Sequence, residues 1–81
     1  MTAKKIKFTD IDVIDDVKEF VKIVSNYSYD IDVISGRYVV DAKSIMGLFS
    51  LDLSSDLALM VHSEDCDTLL AELEKFLIKQ K

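Results

Sequence analysis

Ser44 stands in the stretch Asp41-Ala42-Lys43-Ser44-Ile45-Met46-Gly47-Leu48-Phe49-Ser50-Leu51, where a polar entrance meets an apolar run. A serine before such a run caps a helix, its hydroxyl oxygen accepting from a first-turn amide. The same position accepts a phosphate, because a helix start offers free N–H groups and the positive end of the dipole. Phosphorylation would bring a charge of about -2 to an apolar surface, enough to gate a partner. On its residues alone Ser44 is a capping serine at a place that can accept a phosphate. Ile45, Met46, Leu48, Phe49 and Leu51 are too many apolar side chains for one short helix to bury. Leu48 and Leu51 are expected in the core. Ile45, Met46 and Phe49 are the candidate partner-binding residues, since exposed Met and Phe are common interface anchors.

Other reactive groups form no comparable set. Asp10, Asp12, Asp15 and Asp16 cluster, but no glycine lies among them to turn a calcium loop. They read as a solvated, acidic helix entrance. His62 is the only histidine and Cys66 the only cysteine. No metal site is expected from them, and no cofactor signature or catalytic set is present. A lone cysteine forms no internal disulfide, which fits a reducing compartment, and the start Met1-Thr2-Ala3-Lys4-Lys5 is no apolar leader. No window approaches a membrane span. The expected location is the cytoplasm. A net charge of -5 repels phosphate backbones, so the expected partner is a protein, with basic surface, and not a nucleic acid or a membrane.

The 81 residues, 49% hydrophobic, with no proline and two glycines, suit one compact domain over 1–81 with no linker or repeat. Lys5-Ile6-Lys7-Phe8-Thr9 alternates and reads as a strand with Ile6 and Phe8 inward. Ile14, Val17, Val21 and Val24 recur at helical spacing beside Phe20, with Asp15 and Asp16 in the first turn and an end near Ser25-Asn26. Tyr29-Asp30-Ile31-Asp32-Val33-Ile34 and Tyr38-Val39-Val40 read as a hairpin across Ser35-Gly36-Arg37. The short Ser44 helix, to about Leu51, follows. After a polar loop anchored by Leu53, Leu57-Ala58-Leu59-Met60-Val61-His62 reads as a strand burying Leu57, Leu59 and Val61. A last helix, capped by Asp65, would bury Leu69, Leu70, Leu73, Phe76 and Leu77 and end in Lys79-Gln80-Lys81. The order βαββαβα is an α+β open-faced sandwich: three helices on one face of a four-stranded, mostly antiparallel sheet. The open face would carry Lys5, Lys7, Asp30, Asp32 and His62.

This order, with Lys43-Ser44-Ile45-Met46-Gly47 followed by Ser50-Leu51, resembles the HPr family, the small phosphocarriers of the bacterial sugar phosphotransferase system. Ser25-Asn26-Tyr27, and Asp30-Ile31-Asp32-Val33 leading into the Gly36 turn, also resemble it. The resemblance implies that Ser44 corresponds to the serine phosphorylated by the HPr-type serine kinase. It also implies a carrier histidine at the start of the first helix. Counted back from Tyr27, that position falls on Val13, the assisting arginine on Asp15 and the helix-starting proline on Asp16. A relay needs an imidazole nucleophile and a cation or helix N-terminus for the phosphate. Valine has no nucleophile, and the aspartates repel a phosphoryl group. The likeness is thus to the Crh branch, which lacks the carrier histidine, keeps the serine and acts through a transcriptional regulator. The expectation is a non-catalytic regulatory or partner-binding protein. The alternatives are an unphosphorylated scaffold or subunit domain that docks through the apolar helix 44–51, and a phosphocarrier using an unexpected residue. Sequence leaves the oligomeric state open.

Overall fold

The computed structural model describes residues 1–8 and 11–78. Asp10 of the acidic run and the terminal Lys79-Gln80-Lys81 lie outside them. The elements run β1 (Thr2–Ile6), α1 (Val13–Val24), β2 (Ile31–Ser35), β3 (Tyr38–Asp41), α2 (Ile45–Phe49), β4 (Leu57–Val61) and α3 (Asp67–Glu72), then a 3-10 turn (Glu74–Phe76). The strands form one sheet in the order β1-β4-β2-β3, with every neighbouring pair antiparallel. This is the α+β open-faced sandwich that the pattern implies.

Alternation along the strands separates the two faces, because successive side chains point to opposite sides. Ile6, Ile31, Val33, Leu57, Leu59 and Val61 are buried beneath the helices. They meet Val17, Phe20 and Val24 of α1, Leu48 of α2 and Leu69 of α3. Phe8, Phe20 and Phe76 close one end of this core edge-on, with ring centroids 5.3–5.7 Å apart. That is the offset geometry in which ring quadrupoles attract. On the open face the register sets Lys5, Ala58, Ile34 and Val39 in one cross-strand row and Ala3, Met60, Asp32 and Asp41 in the next.

Three expectations are corrected. The buried stripe of α1 is Val17, Phe20 and Val24, with Val13 half-buried, whereas Ile14 lies 54% exposed. Asp12 Oδ1 accepts from Asp15 N–H at 3.2 Å and starts the helix at Val13. Phe20 packs edge-on against Phe8 and Phe76, which turns the 13, 17, 20, 24 stripe inward. Asp65 does not cap α3. The N-cap is the buried Cys66, which makes no side-chain cap bond. The last helix is also shorter than its periodicity implies. It ends at Glu72, and Leu77 is extended and bridges Ile6. Lys7 N–H donates to Phe76 O and Ile78 N–H to Lys5 O, both at 2.9 Å. Pairing with β1 therefore satisfies backbone groups that another helical turn would have used internally.

Candidate functional site

The site is assembled around the entrance to α2. Asp41 closes β3 and turns the chain: its Oδ1 accepts from Lys43 N–H at 2.9 Å, and its carbonyl accepts from Ser44 N–H at 2.9 Å. Such a carboxylate-to-backbone bond two residues on is how aspartate stabilises a turn. Ser44 is then extended, with φ -98° and ψ 106°, and its Oγ accepts from Gly47 N–H at 3.1 Å. The serine is exposed and is the N-cap. Space beside Gly47 is tight. A Cβ there would lie 3.2 Å from Ser44 Oγ and 3.3 Å from Val40 Cβ, tighter than ordinary van der Waals contact.

Lys43 fixes the approach to this cap. Its ammonium donates to Tyr27 O at 2.6 Å and to Tyr29 O at 3.0 Å. One side chain thus ties the loop after α1 to the start of α2 with charge-assisted bonds. Tyr27 in turn donates its hydroxyl to Glu72 of α3. That bond, together with burial, pushes the Tyr27 phenol up to about 12. Burial, with Cys66, Asp65 and Glu72 nearby, also raises Tyr29. Tyr29 Oη is buried with no hydrogen-bond partner among the described residues. In the sequence Lys43 stands out only as one letter of a motif. Contacts between positions this far apart in the chain leave no local pattern.

The α2 residues divide by depth. Leu48 and Leu51 are buried, as expected, and Ile45 is half-buried against the core. Met46 is 78% exposed and Phe49 39%. At the α1 entrance Ile11 is 96% exposed, and Asp15 and Asp16 occupy the first turn behind the Asp12 cap. Val13 opens α1 half-buried. His62 sits elsewhere, just after β4, where Nε2 meets Asp32 Oδ2 at 2.7 Å on the open face. It pairs with this neighbour on the face where the alternation expects it. Among the described residues no group of three or more His, Cys, Asp or Glu is placed to hold a metal ion, and no helix is long and apolar enough to cross a membrane.

This fold is shared with known proteins. The family described as PTS HPr component phosphorylation site matches residues 16–79. The fold is similar to the crystal structure of HPr-C-His from Thermoanaerobacter tengcongensis, with TM-score 0.77 and 28% identity over 93% of this chain and 89% of that one. It is also similar to the phosphocarrier protein HPr from Bacillus anthracis str. Ames, with TM-score 0.76 and 22% identity over 95% and 96% of the two chains. Comparison with curated protein sequences gives no match. The chain belongs to the HPr family, whose members are phosphocarriers and not enzymes. The matched span begins at residue 16, so it leaves Val13 and Asp15 outside.

Proposed function

We propose that this chain is a non-catalytic, cytoplasmic HPr-like regulator. In this reading it binds a protein partner through Met46, Phe49 and the exposed edge of Ile45, and phosphorylation of Ser44 controls that binding. The observation that carries the reading is the exposed Ser44 cap two residues before the 78% exposed Met46. A phosphoryl group on Ser44 Oγ would sit against the first-turn amides of α2 and place its charge beside this apolar surface. The partner would be an HPr-type serine kinase on the input side and a protein such as a transcriptional regulator on the output side. With a net charge of -5, the chain favours a basic docking surface.

Histidine relay is not part of this function. The chain's single histidine is engaged with Asp32, and the first turn of α1 offers Val13, Asp15 and Asp16 in place of a nucleophile and a cation. Two phosphorylation reactions test the reading. The serine kinase with ATP is expected to add one phosphoryl mass to the wild type and none to Ser44→Ala. Enzyme I with phosphoenolpyruvate is expected to add none to either. Absence of a Ser44-dependent mass gain would sink the switch, and labelling by enzyme I would restore a carrier role. The second reading, an unphosphorylated scaffold, rests on the same exposed Met46 and Phe49 without the serine. It gains if Met46→Asp abolishes partner binding while neither kinase nor enzyme I acts on the protein.

A further inference from the structure

β3 ends the sheet and has no strand on its outer side among the described residues. An uncovered edge presents unpaired backbone groups, and proteins commonly guard it with proline, lysine or a covering segment. Tyr38-Val39-Val40-Asp41 contains neither proline nor lysine, and Tyr38 and Val39 are exposed. The opposite edge differs, because Leu77 and Ile78 cover part of β1.

The phase of the ladder says which groups face out. In an antiparallel pair alternate residues exchange both backbone bonds with the partner strand, and those between turn away. Ser35 and Tyr38 flank the two-residue loop Gly36-Arg37, and Ala42 N–H donates to Ile31 O at 2.9 Å. Tyr38, Val40 and Ala42 therefore face β2. The groups turned outward are Arg37 C=O, both backbone groups of Val39 and Asp41 N–H. The carbonyl of Asp41 is already taken by Ser44 N–H.

We propose that this edge pairs with the same edge of a second copy, antiparallel and two-fold about Val39. In that register Val39 N–H of each copy donates to Val39 C=O of the other. Asp41 N–H of each donates to Arg37 C=O of the other. Val39 and Asp41 share the open-face side, and this register sets each Arg37, in its exposed turn, beside the other copy's Asp41. Tyr38 faces Val40 across the opposite side. Moving the two-fold centre by one residue keeps strands adjacent but separates Arg37 from Asp41, so the charges select the register. Charges that would repel a generic strand thus complement this one. Two chains that each carry -5 repel at long range, and the paired segment is short, so the dimer belongs to the weak, reversible class.

Sedimentation velocity of the full chain, from micromolar to millimolar concentration, tests the proposal. The wild type is expected to shift reversibly toward the mass of two chains at the upper end. Val39→Pro removes an outward N–H that β2 does not use, a position where an edge strand tolerates proline. It is expected to stay monomeric with an unchanged far-ultraviolet dichroism spectrum. Arg37→Glu and Asp41→Lys place like charges opposite each other in either homodimer, so each alone is expected to be monomeric. An equimolar mixture of the two restores both ion pairs and is expected to dimerise. Because Arg37 lies in an exposed turn, Arg37→Glu keeps the test decisive if Asp41→Lys or Val39→Pro fails to fold. A wild type monomeric throughout, or a dimer that persists undiminished in Arg37→Glu, overturns the proposal.

Discussion

Ser44 has a single hydroxyl that serves the fold before it serves any switch. Its oxygen accepts from Gly47 N–H, and loss of such a cap costs about 1 kcal/mol. Ser44→Ala is therefore expected to be destabilised by about 1 kcal/mol in urea unfolding, whereas Ser44→Asp keeps an acceptor and is expected to stay near the wild type. This pair separates capping from modification, since both variants remove the hydroxyl that a kinase needs and only one removes the cap. A second residue has a measurable pH signature. Asp52 accepts from Ser54 N–H at 3.2 Å, Ser54 Oγ at 2.6 Å and Ser55 Oγ at 2.8 Å. These bonds hold its carboxyl below the usual 3.8, those from the Ser54 and Ser55 side chains most of all. A carboxyl lowered in the folded state stabilises it above the unfolded pKa, and that contribution disappears as pH falls through the folded one. Urea midpoints measured from pH 5 downward should fall more steeply for the wild type than for Asp52→Asn, and the two should converge in acid. Parallel curves would show that Asp52 contributes nothing through its ionised form.

At the scale of elements, α2 is too short to hold itself. Five residues fall well below the length at which isolated helices persist, so its order must come from packing and from its entrance. Leu48 supplies the packing and Lys43 the entrance, through Tyr27 O and Tyr29 O. Lys43→Met keeps the aliphatic stem and deletes the donors. Hydrogen bonds to charged groups contribute about 1.5–3 kcal/mol where desolvated, and Lys43 is half-exposed, so a loss of about 1 kcal/mol is expected. The more diagnostic readout is amide exchange, which should quicken at Gly47 and Leu48 before it changes in β4. Unchanged exchange there would mean that the clamp does not order α2. This division also marks what the sequence could show. The cap at Ser44, the buried Leu48 and the two-residue Gly36 loop are local, and local spacing carries them. Gly36 takes a positive φ of 60°, which glycine adopts without a Cβ clash. The Lys43 clamp and the Tyr27–Glu72 bond join residues 14–16 and 45 positions apart, which no periodicity encodes. Ile14 against Val13 was a question of helix phase. The packing of Phe20 against Phe8 and Phe76 settles it, and one residue of phase rotates a helix by about 100°.

For the whole molecule, the end of the chain decides how the sheet and the helices close on each other. Leu69, Leu70, Leu73, Phe76 and Leu77 fit one amphipathic helix, and that pattern alone cannot place a break at Leu73. The break occurs because Phe76 must reach Phe8 and Phe20 while the backbone beyond it pairs with β1. Lys75 reinforces the closure by pairing with Glu19 of α1, which holds its ammonium above the usual range. The tail thus acts as a partial fifth strand, and its bonds can be deleted one at a time. Ile78→Pro removes only the N–H that reaches Lys5 O, and Leu77 before it is already extended at φ -76° and ψ 136°, the region a following proline demands. No backbone strain should accompany the loss, so the expected cost is that of one hydrogen bond, about 1 kcal/mol. If the tail closes the fold cooperatively, protection of the Lys7 amide, which donates to Phe76 O, should fall together with global stability. If the tail frays independently, Lys7 alone should lose protection while the urea midpoint stays in place. The Phe8–Phe20–Phe76 cluster joins tail, sheet and α1 in one apolar contact set, which favours the cooperative outcome.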